Sequence, residues 1–239
     1  MLPKIGILAG GGLLPSLIIR YCQEIGREFH VIAFDGQSKI DAYRDVPHSW
    51  VRLGAAGRAI RILRKVGVKE LVLAGTIKRP SLKMLWPDIW TARFLIKNKV
   101  FNHGDNVLLG TLIRTLEVKE GFSVVGTDQL LPELLAKAGV YGDFSPNPDD
   151  YINIKAGIRG AQDLGRLDIG QCVITRSGQV FLREDIDGTD TLLLKAQEFC
   201  MHTPNGVLVK VKKPRQERRV DLPTIGPKTI KSAALAGLR

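Results

Sequence analysis

Residues 4–15 read KIGILAGGGLLP. An apolar run, three glycines and a proline in that order predict a buried strand at 4–9, a turn at Gly10-Gly11-Gly12, and a helix over 16–28 opened by Pro15. Downstream, FHVIAF at 29–34 predicts a second strand, residues 55–66 a basic amphipathic helix, and ELVLAG at 70–75 a third buried strand. Apolar strands alternating with helices give the fold class as α/β, with a Rossmann-like parallel sheet covered on both faces. A helix from about Asp105 to Lys119, a strand at 122–126 and a helix at 130–138 extend this unit.

Turn formers then crowd residues 142–150, GDFSPNPDD. They predict an N-terminal domain at 1–142 and a smaller C-terminal α/β domain at 143–239. The second domain is expected to hold a helix to about Leu164 and a hairpin of 171–175 with 179–183 around Ser177-Gly178. Gly188-Thr189-Asp190 before a helical run to Phe199, a strand at 206–211 and a helix after Pro227 complete it.

The chain has 239 residues, 44% apolar and 25% charged, which is enough to bury a core without disulfides or metals. Cys22, Cys172 and Cys200 are odd in number and far apart, and the four His residues show no metal spacing. A disulfide scaffold and a zinc framework are therefore excluded, and a reducing compartment is expected. With neither a secretory signal pattern nor a run long enough to cross a bilayer, the expected location is the cytoplasm.

The net charge of +11 is regional: residues 51–100 carry 12 Lys and Arg against two acids, and residues 201–239 carry nine against two. Such excess implies an anionic partner. Nucleic acid is not expected, because the basic loop at 210–221 has no interleaved aromatic residue.

Four candidate features carry chemistry. At a helix start, the amides of Gly10, Gly11 and Gly12 suit a phosphate. Pro15 stands where a dinucleotide fingerprint wants its third glycine, which leaves a nicotinamide oxidoreductase using this loop and Asp35 as the alternative. Thr76, Lys78 and Arg79 leave the carboxyl end of the third strand, the edge where open parallel sheets bind ligands. Residues 184–190, EDIDGTD, place four acids in seven positions of a basic chain, a density that suits Mg²⁺ or Mn²⁺ unless the acids cap the next helix. Finally, residues 81–97 join Trp86, Ile89, Trp90 and Phe94 to Lys83, Arg93 and Lys97, as an interfacial helix would, although core packing or a homo-oligomer contact suits the same pattern.

Taken together, LAGGGLLP at 8–15, AGTIKRP at 74–80, GDNVLL at 104–109, GTD at 188–190 and DLPTIG at 221–226 resemble the LpxI-type UDP-2,3-diacylglucosamine hydrolases. The resemblance runs in order along nearly the whole chain. It implies metal-dependent cleavage of the UDP-2,3-diacylglucosamine pyrophosphate to UMP and lipid X in lipid A synthesis, peripheral to the anionic inner face of the inner membrane. A non-catalytic binding module for anionic lipid or nucleic acid is the remaining alternative.

On this reading Asp190 is the principal catalytic carboxylate and metal ligand, with Asp105 and Asp221 as further catalytic candidates. Gly10, Gly11, Gly12, Thr76, Lys78, Arg79, Thr189 and Lys213 form the candidate substrate-binding set. Position 106 holds Asn where the family more often has a second acid.

Overall fold

The computed structural model describes residues 2–38, 40–77, 85–98, 105–200, 206–214 and 216–238, with Ile40, Asp105, Asn106 and Cys200 described by backbone alone. The chain packs as two compact units. One is Met1–Ala136 joined by Glu217–Val220; the other is Lys137–Gln216 with Asp221–Arg239.

The larger unit is built on a five-stranded sheet whose strands all run parallel. Its strands are β1 (Ile5–Ala9), β2 (Phe29–Phe34), β3 (His48–Val51), β4 (Glu70–Ala74) and β5 (Ser123–Val124), in the order β3-β2-β1-β4-β5. Chain order reverses direction between β1 and β4, so the carboxyl ends of these two strands flank the topological switch point. Helices α1 (Leu14–Glu24), α2 (Ala56–Lys65), α3 (Ile89–Lys97) and α4 (Asp105–Val118) follow their strands, with a single turn α5 (Thr127–Leu130) after β5.

Alternation along the strands loads both faces of the sheet. Ile5, Ile7, Val31, Ala33 and Val72 pack with Ile18 and Cys22 of α1. Ile32, Phe34 and Leu71 pack with Ile60 and Leu63 of α2 and Ile113 of α4 on the other side. Each fully buried aliphatic side chain contributes about 1.5–3 kcal/mol, so the two layers hold the sheet without covalent help.

Two expectations change here. β3, which was not foreseen, forms the outer strand beside β2, and its half-exposed His48, Ser49 and Trp50 explain why no apolar run marks it. The helix expected at 130–138 is instead α5 and a separate 3₁₀ turn, Pro132–Leu134. Pro132 disfavours the helical region for the residue before it, and Leu131 lies outside that region at φ −128°, ψ 66°.

The smaller unit holds an antiparallel sheet of β6 (Cys172–Arg176), β7 (Gln179–Arg183) and β8 (Val207–Lys210), ordered β7-β6-β8. The β6–β7 turn takes positive φ at Ser177 (49°) and Gly178 (75°), the two-residue hairpin geometry that the sequence implied. Helix α6 (Pro148–Arg166) covers one face through Ala161 and Leu164 on Val173, Val207 and Val209. Helices α7 (Gly188–Cys200) and α8 (Pro227–Leu235) flank the other, where Leu192, Leu193 and Ala196 pack on Cys172 and Ile174. Among the described residues, no helix is long and apolar enough to cross a membrane.

Candidate functional site

The glycine loop follows β1 as expected, but its amides are partly committed. Gly10 N donates to the Ala74 carbonyl at 2.8 Å, and Gly11 N to the Thr76 carbonyl at 2.8 Å; Thr76 N returns a bond to Gly11 O at 2.9 Å. Gly11 and Thr76 thereby form a small antiparallel bridge across the switch point. The amides of Gly10 and Gly11, expected as phosphate donors, are thus bonded to backbone carbonyls in this structure. Gly12, exposed at φ +91°, lies outside the bridge. Asp35 is exposed at the end of β2.

Lys78 and Arg79 lie outside the described residues. Asp105 opens α4, and nothing is described of its side chain. These three sequence candidates are therefore not placed against any partner.

In the smaller unit, the acidic run at 184–190 spreads its carboxylates instead of gathering them. Glu184, 7% exposed, accepts from Gln171 N at 2.6 Å and from the Thr189 hydroxyl at 2.5 Å. Asp185 pairs with Lys195 at 2.5 Å, and that hydrogen bond, with another from Asp187 N, holds its carboxyl below the usual range. Asp190 pairs with Lys228 of α8. The self-repulsion expected of this run is thus reduced at Glu184, Asp185 and Asp190 by the chain's own donors and cations. Among the described residues no three His, Cys, Asp or Glu side chains come together to hold one.

Asp190 is the third residue of α7, inside its first turn, so it is not the cap of that helix. An acid in a first turn is favoured by the helix dipole, and this one leaves 60% of its side chain accessible. Gly188, at φ +84°, supplies the turn before it. Thr189 is half-buried and accepts from Lys210 Nζ at 3.0 Å. The same ammonium donates to the Thr224 carbonyl at 3.1 Å, within the DLPTIG segment that Asp221 opens.

Neither Lys210 nor Lys228 was singled out from the sequence, because a lysine ending a strand or following a helix proline reads as solvated surface. Lys213 was singled out, and its ammonium is held by Asp168 at 2.8 Å, which competes with the phosphate role given to it. Cys172, buried beside Glu184 and Lys210, has its thiol pushed up to about 12, chiefly by burial and then by the Glu184 charge, which disfavours the thiolate.

The aromatic segment divides. Trp90 stacks on Phe94 at 5.5 Å and donates from Nε1 to Glu120 at 2.7 Å, so it belongs to the core. Trp86, Ile89 and Ile96 are 72%, 73% and 74% exposed, with Arg93 and Lys97 exposed beside them on α3. Residues 81–84 lie outside the described set.

A cavity of about 430 Å³ in the larger unit is lined by Asp128, Gln129, Leu135, Arg218 and Arg219. None of the sequence candidates lines it. Its arginines are paired, Arg218 with Asp128 at 2.8 Å and Arg219 with Glu117 at 2.6 Å.

Comparison with known proteins adds what geometry alone does not. Residues 4–134 match the family described as the LpxI N-terminal domain, and residues 137–239 match the LpxI C-terminal domain. The chain is 35% identical over 244 residues to the UDP-2,3-diacylglucosamine pyrophosphatase LpxI of Caulobacter vibrioides, covering 98% of this chain and 86% of that protein. Among solved structures, the biotin carboxylase domain of the Hydrogenobacter thermophilus 2-oxoglutarate carboxylase matches at 14% identity and TM-score 0.32. That match covers 83% of this chain and 40% of the carboxylase chain, and neither fold nor function is read from it.

Proposed function

The chain belongs to the LpxI family, and on that premise we propose that it hydrolyses the pyrophosphate of UDP-2,3-diacylglucosamine. Water adds to one phosphorus, the P–O–P bond breaks, and UMP and 2,3-diacylglucosamine 1-phosphate leave with release of a proton. The observation that carries this reading is the match to both family domains along one chain, with 35% identity to the pyrophosphatase over nearly its whole length.

The chain's own residues divide the work by their chemistry. Asp190 is the principal catalytic carboxylate, orienting the attacking water and accepting its proton, because it is an accessible acid on a turn fixed from behind. Asp221 and Asp105 stand next in line. Gly12 and Thr76, at the carboxyl edge of the parallel sheet, are proposed nucleotide contacts, and Lys78 and Arg79 proposed phosphate contacts.

A single exposed carboxylate does not make a metal cage, but it suits Mg²⁺ or Mn²⁺, which take remaining ligands from water and phosphate. Asp190 would be the residue that holds it. There a divalent cation would supply positive charge against the phosphate charge that grows in the transition state.

An amphiphilic substrate also favours action at a membrane surface. Trp86, Ile89 and Ile96, flanked by Arg93 and Lys97, are proposed to rest on the anionic cytoplasmic face of the inner membrane, each cation there adding about 1 kcal/mol. The test of the whole reading is incubation of the purified chain with Mg²⁺ and UDP-2,3-diacylglucosamine. Release of equal amounts of UMP and lipid X is expected; intact substrate, or binding of NAD(H) in its place, overturns it.

A further inference from the structure

Asp190 has no buried partner to hold it. Its carboxylate meets only the Lys228 ammonium among the contacts described, and the Lys228 side chain is 79% exposed. Gly188 before it has a backbone at φ +84°, a conformation that restrains little by itself. Something else must fix the turn if Asp190 is to be aimed. Catalysis is sensitive to this, since a misplacement of 1 Å costs on the order of 10²-fold in rate.

The fixing comes from a connected line of polar groups behind the turn. Gln171 N donates to one oxygen of Glu184, the Thr189 hydroxyl donates to the other, the Thr189 oxygen accepts from Lys210, and Lys210 donates again to the Thr224 carbonyl. A hydroxyl has one proton; here it goes to Glu184, which leaves the lone pairs for the ammonium and sets the direction of every bond in the line. Glu184 is buried, so losing a partner is costly and the arrangement is held. Lys210 thus ties the first turn of α7, which carries Asp190, to the 221–226 segment, which carries Asp221.

We propose that Lys210 and Glu184 are positioning residues for the hydrolysis: acting through Thr189, they fix the turn that presents Asp190 and the segment that Asp221 opens. This inference rests on the reading of Asp190 as the catalytic carboxylate. Positioning of this kind lowers kcat and leaves KM nearly alone, whereas a lysine that grips the substrate phosphate changes KM.

The experiment compares Thr189→Val, which keeps the shape and removes the hydroxyl, with Thr189→Ser, which keeps the hydroxyl. Lys210→Met and the double variant Lys210→Met with Asp190→Asn are measured beside them. Thr189→Val and Lys210→Met are expected to lose about 10- to 100-fold in kcat with KM within about threefold, and Thr189→Ser to recover most of the kcat that Thr189→Val loses. Added to Asp190→Asn, Lys210→Met is expected to cost little more, because the group it positions is already lost.

If Asp190→Asn is inactive while Thr189→Val and Lys210→Met both keep wild-type kcat, the positioning role is wrong and the catalytic reading stands. If Lys210→Met raises KM at unchanged kcat, Lys210 is a substrate contact and the proposal falls. If Asp190→Asn itself keeps wild-type kcat, the reading beneath the proposal fails first. Should Lys210→Met fold poorly, the Val and Ser pair at Thr189 decides alone: equal rates overturn the proposal.

Discussion

Gly11 and Thr76 close on each other through two backbone hydrogen bonds, 2.8 and 2.9 Å, joining the turn after β1 to the turn after β4. Gly10 lies against the same strand end, where an added Cβ would stand 2.4 Å from the Thr76 carbonyl oxygen. No real Cβ tolerates that distance from backbone. Gly10→Ala is therefore expected to lower stability by about 1–3 kcal/mol through overpacking, read as a fall in Tm. At Gly12 the added Cβ meets nothing within 4 Å, so Gly12→Ala is strained only by its φ and should fall less. Equal melting of Gly10→Ala and wild type would show that the bridge yields.

How much of this was legible in the sequence depends on the residue. The run KIGILA and its alternation in both cores followed from apolar spacing, as did the hairpin around Ser177-Gly178. The bridge did not, because a glycine triplet after a strand looks the same whether its amides await a phosphate or a carbonyl 65 residues downstream. The return of Glu217–Val220 to the larger unit was likewise invisible, since Arg219 has no sequence pattern that points to Glu117. At the candidate site, Asp190 and Thr189 were singled out from the GTD motif. Lys210 and Lys228 were not, because an ion pair or hydrogen bond across a fold leaves no periodicity.

The two faces of α3 are expected to behave oppositely. Trp90→Ala removes a ring stacked on Phe94 and the donor to Glu120. It should cost about 2–4 kcal/mol, near the range for large core truncations. Ile89→Ser with Ile96→Ser alters only exposed positions and should keep Tm while weakening sedimentation with vesicles of anionic phospholipid. If the double variant binds such vesicles as wild type does, the membrane face is elsewhere.

Stability should fall on mild acidification for a reason that His30 makes specific. Burial, with Lys4 and His48 nearby, holds this imidazole below its ordinary value of 6.5, and its Nε2 stands 3.0 Å from the Ser49 hydroxyl. The unfolded chain then binds the proton at higher pH than the folded one. The contribution is complete above about pH 6.5 and is lost as pH falls from there toward the folded value. Urea unfolding at pH 7.5 and 5.5 should show a smaller loss for His30→Gln than for wild type. The same loss in both would place the acid sensitivity in other groups.

Asp190 gives the sharpest test, because its surroundings separate the roles it is able to play. If it served only the ion pair with Lys228, both side chains being largely exposed, its loss would change stability little and rate not at all. Asp190→Asn and Lys228→Met would then be equivalent. If Asp190 is the catalytic carboxylate, the amide neither accepts the proton of water nor serves as a ligand for a hard cation, so kcat falls on the order of 10² or more. Melting stays near wild type, because the side chain is 60% accessible and buries no apolar surface. Lys228→Met, by contrast, leaves the carboxylate in place and is expected to retain most of kcat. Substrate still binds to Asp190→Asn, since the contacts proposed for Gly12, Thr76, Lys78 and Arg79 are untouched, and KM or ligand Kd should stay within about threefold. The decisive measurement is kcat at saturating Mg²⁺ for the two variants side by side. More than about a tenth of wild-type kcat in Asp190→Asn, a loss under about 1.4 kcal/mol, would pass the catalytic role to Asp221 or Asp105.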